Sequence, residues 1–369
     1  MKYYIIAGEA SGDLHASNMM KALQKEDPNA EFRFWGGDLM QAVGGTLVKH
    51  YKELSFMGFV EILMNLSTIL GNVKFCKNDI AEYQPDAIIF IDYSGFNLRM
   101  AKWAKQEGFK TNYYISPQVW ASRAKRVIDI KRDIDNMFVI LPFEKEFYKK
   151  YDYKVNFVGH PLIDAIADRK LMDDKSFRIE NNLNEKPIIA LLPGSRKQEI
   201  TKMLSVMLSL VEDYKEYQFV IAGAPSQDYD FYKTFIKTDN VSFVTNKTYD
   251  LLSVSKAALV ASGTATLETA LFKIPQVVCY KGSNISYQIA KRIITLKFIS
   301  LVNLIMDKEV VKELIQNDFT KKNLKLELDK IIAGETREEL LVNYNLLENK
   351  LGGAGASMKT AKMIYELNK

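Results

Sequence analysis

Two acids stand directly after short apolar runs in the first hundred residues, and proton transfer is the chemistry they could perform. Tyr3–Ala7 runs into Gly8-Glu9-Ala10-Ser11-Gly12-Asp13, and Ala87–Ile91 runs into Asp92-Tyr93-Ser94-Gly95-Phe96-Asn97. A carboxylate at the tip of a central strand, beside a glycine turn, is well placed for a general base. Asp92 is the first candidate and Glu9 the second. Both segments also read structurally. Gly8–Asp13 can be a tight strand-to-helix turn with Asp13 in the first helical turn, where negative charge suits the macrodipole, and Asp92 can be a helix cap.

A second pair of turns suits an anion. Leu191-Leu192-Pro193-Gly194-Ser195-Arg196 leaves an apolar run and enters helical text containing Glu199. Glycine allows close backbone approach, a helix N-terminus supplies N–H donors and Arg196 adds a fixed charge, which together fit a diphosphate. Ser262-Gly263-Thr264-Ala265-Thr266-Leu267-Glu268 repeats the arrangement after Ala258–Ala261. Acids in such a position bind ribose hydroxyls in nucleotide-binding folds, which makes Glu268 the ribose candidate. Each turn alone could be structural; two in one half favour a nucleotide site. Gly8–Asp13, with its second glycine four residues after the first, is neither a Walker A loop nor G-x-G-x-x-G, and no G-x-G-x-x-G follows a strand, which disfavours a dinucleotide oxidoreductase.

Ser116-Pro117-Gln118-Val119-Trp120 sets polar groups beside an aromatic ring, as a sugar with one apolar face requires. The basic residues that follow, Arg123 to Arg132, fit a solvated helix face or phosphate contact. His15, His50 and His160 share no metal-ligand spacing with one another or with Cys76 and Cys279, so no metal site is expected. His160, in Gly159-His160-Pro161, reads as a loop hydrogen-bonder.

The elements that must hold these residues alternate. Strand-like runs at Tyr3–Ala7, Ala87–Ile91, Thr111–Ile115, Met137–Leu141 and Asn156–Val158 are separated by helix-like text such as His15–Lys25 and Asn97–Gln106. After a polar stretch the series restarts at Ile188–Leu192, Phe219–Ala222, Val241–Val244, Ala258–Ala261 and Gln276–Tyr280. This alternation predicts an α/β protein with two parallel, doubly wound sheets, two Rossmann-like domains facing a central cleft. The expected limits are 1–165 for the first domain, 166–186 for a linker, 187–340 for the second, and 341–369 for C-terminal helices that could pack back on the first. In open α/β sheets ligands bind beyond the C-terminal strand ends, where all the candidates above lie.

With 369 residues, 47% of them hydrophobic, the chain can build two cores and is not disordered. A net charge of +5 is too slight to point to nucleic acid, though it is compatible with an anionic membrane surface. Two distant cysteines indicate a reducing compartment. No signal-peptide core and no run of about 18 apolar residues is present, so a cytoplasmic protein is expected. One segment is unusually apolar. On a helical wheel Val60, Ile62, Leu63, Met64, Leu66, Ile69 and Leu70 span about 200°, against the roughly 100° a surface helix needs. It reads as either a deeply buried helix or a face dipping into lipid; Ile289–Met306 has a similar character.

Taken in order, Gly8–Asp13, Ile91-Asp92 with Phe96-Asn97, Ser116–Trp120, Leu141-Pro142-Phe143-Glu144, Phe157–Pro161, Leu192–Arg196 and Ser262–Glu268 resemble the lipid-A-disaccharide synthase family. The likeness runs from Gly8 to about Leu314, and the ordered set is far more specific than any one turn. It implies the glycosyltransferase-B fold and a metal-independent, inverting hexosyl transfer in lipid A synthesis of Gram-negative bacteria. The implied donor is UDP-2,3-diacylglucosamine and the acceptor 2,3-diacylglucosamine 1-phosphate. The products would be a β-1,6-linked disaccharide 1-phosphate and UDP. Asp92 or Glu9 would take the proton from the acceptor's 6-hydroxyl. Gly194, Ser195, Arg196, Glu199, Ser262, Gly263, Thr264, Ala265, Thr266 and Glu268 would bind the UDP-sugar; Gly12, Asn97, Ser116, Gln118, Trp120 and Asn303 would bind the acceptor sugar. Acylated substrates favour lipid contact for Val60, Ile62, Leu63, Leu66, Ile69 and Leu70, and peripheral attachment to the inner face of the inner membrane. The resemblance implies no cofactor and no nucleic acid, and it allows a homodimer. Ser94 replaces a common proline, Gly95 a second acid of some relatives, Val302-Asn303 a Pro-Asn pair and Ser122 a frequent tryptophan, which leaves loop geometry and acyl preference open. Two other readings compete: another UDP-sugar enzyme of the same fold, such as a peptidoglycan N-acetylglucosaminyltransferase or a UDP-N-acetylglucosamine 2-epimerase, and a catalytically inactive nucleotide-sugar binding module.

Overall fold

A computed structural model of the chain describes residues 1–54, 66–224, 226–282 and 297–369. They form two compact units, 1–168 together with 351–369, and 169–350. The first unit holds seven strands: β1 (Lys2–Ala7), β2 (Glu31–Gly36), β3 (Thr46–His50), β4 (Ala87–Ile91), β5 (Thr111–Tyr114), β6 (Asn136–Val139) and β7 (Asn156–Phe157). Their order in the sheet is β3-β2-β1-β4-β5-β6-β7, with every neighbour parallel. Parallel strands must be joined by crossovers, and the helices that make them cover both faces. The central strands therefore read as unbroken apolar runs rather than alternating ones.

Successive residues still point to opposite faces of the sheet. Tyr4, Ile6, Ile88, Phe90 and Tyr113 pack on one side. Tyr3, Ile5, Ile89, Ile91 and Tyr114 pack on the other, against Ala16 and Met19 of the helix Ala10–Glu26 and Ala361 and Ile364 of the helix Ala356–Asn368. All of these side chains are fully buried. Each such Ile or Phe contributes about 1.5–3 kcal/mol by leaving water.

The second unit repeats the plan with β8 (Ile188–Leu192), β9 (Gln218–Gly223), β10 (Val241–Thr245), β11 (Ser255–Ala261), β12 (Gln276–Tyr280) and β13 (Lys312–Ile315). Their order is β10-β9-β8-β11-β12-β13, again all parallel. Its core includes Ile188, Ala190, Val220, Ala258 and Val260.

Several details depart from the reading of the sequence. β2, β3 and β13 were not expected. β2 interleaves Glu31 and Arg33 with Phe32, Phe34 and Trp35, and β3 and β13 are short edge strands, the places where polar residues guard a sheet. The first helix begins at Ala10 rather than near His15. Residues 166–186 are not wholly linker: Asp173 Oδ1 accepts the Ser176 N–H at 3.0 Å to cap a helix, Asp174–Glu180, whose Phe177 is fully buried in the second unit's core. The last two helices part company. Glu335–Lys350 belongs to the second unit, while Ala356–Asn368 returns to the first.

Val60, Ile62, Leu63 and Met64 lie outside the described residues, as do residues 289–296 of the segment 289–306, whose remainder includes the helix Leu301–Met306. Leu66 opens the helix Leu66–Tyr83; within it Ile69 is half-buried, and Leu70 and Phe75 are 53% and 48% exposed. Among the described residues no helix is long and apolar enough to cross a membrane.

Candidate active site at two strand-order reversals

In each sheet the strand order reverses once at the centre, between β1 and β4 and between β8 and β11. That reversal opens a crevice at the carboxyl ends of the two strands, the general ligand position in such sheets. The two acids and the two glycine turns singled out from sequence emerge at these two places.

In the first unit Ala7 pairs with Ile91, so Gly8-Glu9 and Asp92 leave the sheet side by side. Asp92 and Tyr93 both adopt left-handed backbone, with φ of 43° and 46°. Such conformations cost about 1–3 kcal/mol each for residues other than glycine and cluster at functional sites. Side chains from the helix Ser94–Gln106 and from β5 hold the turn, and so does the turn's own Tyr93. Asn97 is fully buried and its amide donates to the carbonyls of Asp92 (2.9 Å), Ile91 (3.2 Å) and Ile6 (3.3 Å). The Tyr113 hydroxyl also donates to the Asp92 carbonyl. The Tyr93 ring lies over Gly8 so closely that a Cβ there would sit 2.3 Å from it. These contacts fix the Asp92 backbone and leave its carboxylate for other work.

That carboxylate is half-buried, and burial, with the negative charge of exposed Glu9 second, pushes it up to about 6, although the Tyr93 N–H pulls the other way. A carboxylate titrating near 6 is ionised at neutral pH yet a better proton acceptor than a surface aspartate. Glu9 belongs to this site through its field on Asp92.

Three other residues expected at the acceptor site do different work. Gly12 is buried, and a Cβ on it would stand 3.2 Å from that of Ala7; the glycine lets the first helix close on β1. Asn97 is the brace just described. Asn303 is fully buried in the second unit, where its amide donates to the Val311 carbonyl (2.8 Å) and Glu313 (2.9 Å) and its oxygen accepts from the Val310 and Val311 N–H groups. Both its donors and both lone pairs are used within the protein, leaving nothing for a sugar. Asp13 likewise caps the helix Asp38–Val43, accepting N–H bonds from Gly37, Leu39 and Met40.

The segment after β5 keeps its exposed polar character at Gln118, with Trp120 half-buried and Ser116 buried. It opens on Ile115 at φ 66°, a β-branched residue in the left-handed region. The histidines are quiet. His160 Nδ1 accepts the Leu162 N–H at 3.2 Å as a helix cap. Burial holds His160 down to about 3 and His15 to about 4, so both are neutral.

In the second unit Gly194 turns at φ 105° and Gly263 at φ 150°, each just before a helix, Lys197–Leu208 and Thr264–Leu271. Neither helix has a side-chain cap at its N-terminus, so the first-turn N–H groups are free of one. Ser195 and Arg196 are exposed; Arg196 Nη1 meets Glu199 Oε1 at 3.3 Å. Glu199 also lies 3.2 Å from where a Gly194 Cβ would be. It is thus an ion-pair partner of Arg196 in the helix's first turn.

At the second turn Thr264 is exposed and Ala265 half-buried, while the Ser262 hydroxyl is bonded to the Ile299 carbonyl (2.9 Å) and buried Thr266 to the Gly263 carbonyl (2.8 Å). Their contribution to a ligand would come through backbone. Glu268 accepts the Tyr249 hydroxyl at 2.8 Å, and burial raises its carboxyl. Arg169 stacks 5.1 Å from the Tyr249 ring centre and pairs with Asp250 at 3.4 Å. Tyr249 was not anticipated: nothing in its sequence neighbourhood marks it, since its partner lies 19 residues on. Among the described residues no group of three or more His, Cys, Asp or Glu could hold a metal.

Two Rossmann-like units, each a parallel sheet wound with helices, define the class of proteins with the glycosyltransferase-B fold. Solved structures bear this out at the level of fold. A UDP-GlcNAc 2-epimerase from Neisseria meningitidis, bound to UDP-GlcNAc, superposes with a TM-score of 0.66 at 13% identity, covering 100% of this chain and 99% of its own. The S. aureus MnaA–UDP structure gives 0.71 at 14%, covering 100% and 97%.

The family is fixed by sequence: the chain belongs to the lipid-A-disaccharide synthetase family, whose profile matches residues 3–362. The lipid-A-disaccharide synthase of Syntrophus aciditrophicus is 38% identical over 99% of this chain and 97% of its own. That of Coxiella burnetii is 34% identical over 98% and 97%. The family's role as a lipid A glycosyltransferase comes with that membership.

Proposed function

We propose that the chain transfers 2,3-diacylglucosamine from UDP-2,3-diacylglucosamine to the 6-hydroxyl of 2,3-diacylglucosamine 1-phosphate, inverting the anomeric centre and releasing UDP. The observation that carries the reading is Asp92: a braced, strained and half-buried carboxylate, raised to about 6, at the reversal of the first sheet. Inversion needs one base, which takes the hydroxyl proton as the oxygen attacks the anomeric carbon in line. Asp92 is that base and Glu9 its electrostatic partner.

The negative charge that builds on departing UDP would be met by Arg196 and by backbone N–H groups at Gly194–Ser195 and Gly263–Thr266, preorganised donors of the kind that lower such barriers. Glu268 would hold the ribose, oriented by Tyr249. Gln118 and Trp120 would face the acceptor sugar. No metal is required in this scheme. The exposed Leu70 and Phe75 on Leu66–Tyr83 support contact between this helix and an acyl chain or lipid surface, with the enzyme peripheral to the membrane's cytoplasmic face.

The test is UDP release by the purified chain, given the donor with and without 2,3-diacylglucosamine 1-phosphate, in detergent and EDTA. Acceptor-dependent release with a disaccharide product is expected. Release that needs no acceptor, or occurs only with a non-acylated UDP-sugar, overturns the substrate assignment while leaving the nucleotide site standing. Loss of activity in EDTA refutes metal independence.

A further inference from the structure

Gln316 stands where the last strand of the second sheet ends, and the scheme above gives it no task. It follows β13 directly, and the register sets Ile315 beside Tyr280, so the residues after β12 and β13 leave the sheet together. Its backbone is left-handed, with φ of 52°. For a residue with a Cβ that conformation is strained, and such strain clusters where ligands bind. The side chain is 92% withdrawn from solvent, the residue being 8% exposed, and it is held by one end only. Its Oε1 accepts the Gly282 N–H at 2.9 Å, which fixes the way the amide faces, because turning it over would set two donors against each other. At the other end Nε2 is buried and has no hydrogen-bond partner among the described residues.

Native proteins nearly always meet their buried donors, because an unmet one loses water and gains nothing. Asn303 is the ordinary case in the same unit, with its donors and lone pairs all used. Gln316 differs in where it stands. The carboxyl end of such a sheet is where ligands lie, and β13 is separated from β11 by β12 alone. At the usual strand spacing its tip is roughly 10 Å from the Gly263 turn. Hydrogen bonds span that interval: the Ser262 hydroxyl donates to the Ile299 carbonyl at 2.9 Å, and Glu313 of β13 accepts the Ile299 and Ser300 N–H groups at 3.0 and 2.9 Å. Tyr249, which reaches Glu268, comes from the opposite side, on a helix (Thr248–Ser253) that packs against β9, β10 and β11. Ribose, diphosphate and sugar follow one another along a UDP-sugar. A donor with its ribose at Glu268 and its diphosphate at the Gly263 turn therefore carries its sugar towards β12 and β13.

We infer that Gln316 binds the glycosyl unit of the donor: its Nε2–H group donates to an oxygen of the acylated sugar, a hydroxyl or an acyl carbonyl. This rests on the proposed nucleotide-sugar site of the second unit and not on the transfer step. UDP alone makes no such contact, so Gln316 distinguishes the loaded donor from the product that must leave.

The experiment is calorimetric titration of full-length wild type, Gln316→Glu and Gln316→Met with UDP and, separately, with UDP-2,3-diacylglucosamine in detergent. Glutamate keeps an oxygen for the Gly282 N–H and removes the amide donor; methionine has similar length and offers neither. The Kd for the UDP-sugar should rise about tenfold, as expected when one hydrogen bond is lost and its acceptor left unmet, with the Kd for UDP within about twofold of wild type. An unchanged Kd for the UDP-sugar in both variants overturns the inference. So does a Kd for UDP that rises as far as that for the UDP-sugar, which would place the contact on the nucleotide. Should Gln316→Glu fail to fold, Gln316→Met alone decides by the same two constants. If wild type binds neither ligand, the nucleotide-sugar site itself falls and takes this inference with it. If wild type binds both and the variants match it, only the inference falls.

Discussion

The two strand-order reversals share a topology and differ in what surrounds their polar groups. At the first, Asp92 is half-buried, sits on left-handed backbone and is raised by burial and a neighbouring acid. At the second, Arg196 and Ser195 stand in water beside helix N-termini without side-chain caps. The first environment changes what a group is willing to do with a proton. The second leaves charge and N–H donors ready for an anion that arrives already charged. On the proposed roles, one fold would separate proton handling from anion holding by burying one tip and exposing the other.

The sharpest way to break that contrast is Asp92→Asn. If the first site handles the proton, turnover should drop about 10²–10⁴-fold, with UDP affinity unchanged in a direct binding measurement. Near-normal turnover would remove Asp92 as base and return Glu9 to first place. Arg196→Ala should cost about 10²–10³ in kcat, read in the same UDP-release assay, and full activity would refute its role in meeting the leaving diphosphate. Glu268→Gln should act on the donor alone, raising its KM about tenfold, as expected for losing one charge-assisted hydrogen bond; unchanged UDP affinity would count against a ribose contact.

The pH dependence sharpens the same distinction. Because Asp92 must be ionised to act, kcat/KM should fall tenfold per unit below pH about 6, while UDP binding at the second site should not follow that titration. The stability consequence has the opposite sense. A carboxyl raised in the folded state binds its proton more tightly there than when unfolded. The stability linked to it is therefore full below the unfolded value and is lost as pH rises through about 6. At neutral pH the ionised side chain costs about 1–2 kcal/mol after allowance for its partial exposure, so Asp92→Asn should melt a few degrees higher than wild type in calorimetry at pH 7.5. A lower melting temperature would mean that the carboxylate braces the fold.

Much of this contrast was legible in the sequence, for a physical reason. Parallel central strands are buried on both faces, so β1, β4, β8 and β11 stand out as apolar runs, and the residues after them mark the crevice. Edge strands such as β3 and β13 carry polar residues and did not stand out. Residue types at the tips were also readable, but their duties were not: Asn97, Asn303 and Gly12 have the chemistry of ligand contacts and serve as brace, loop fastener and packing gap. Tyr249 was invisible because it acts through a partner brought near only by the fold.

The return of the chain to the first unit bears on how the molecule is made. Residues 169–350 form one compact unit, whereas the sheet of residues 1–168 is missing part of one face until residues 351–369 arrive. Synthesis runs from the N-terminus, so the unit begun first is the one finished last. While the ribosome translates the 182 residues between 169 and 350, Ala16, Met19 and Tyr114 wait for Ala361 and Ile364 to cover them. The first unit would thus become complete only once the helix Ala356–Asn368 has left the exit tunnel, after the second unit has had the chance to fold.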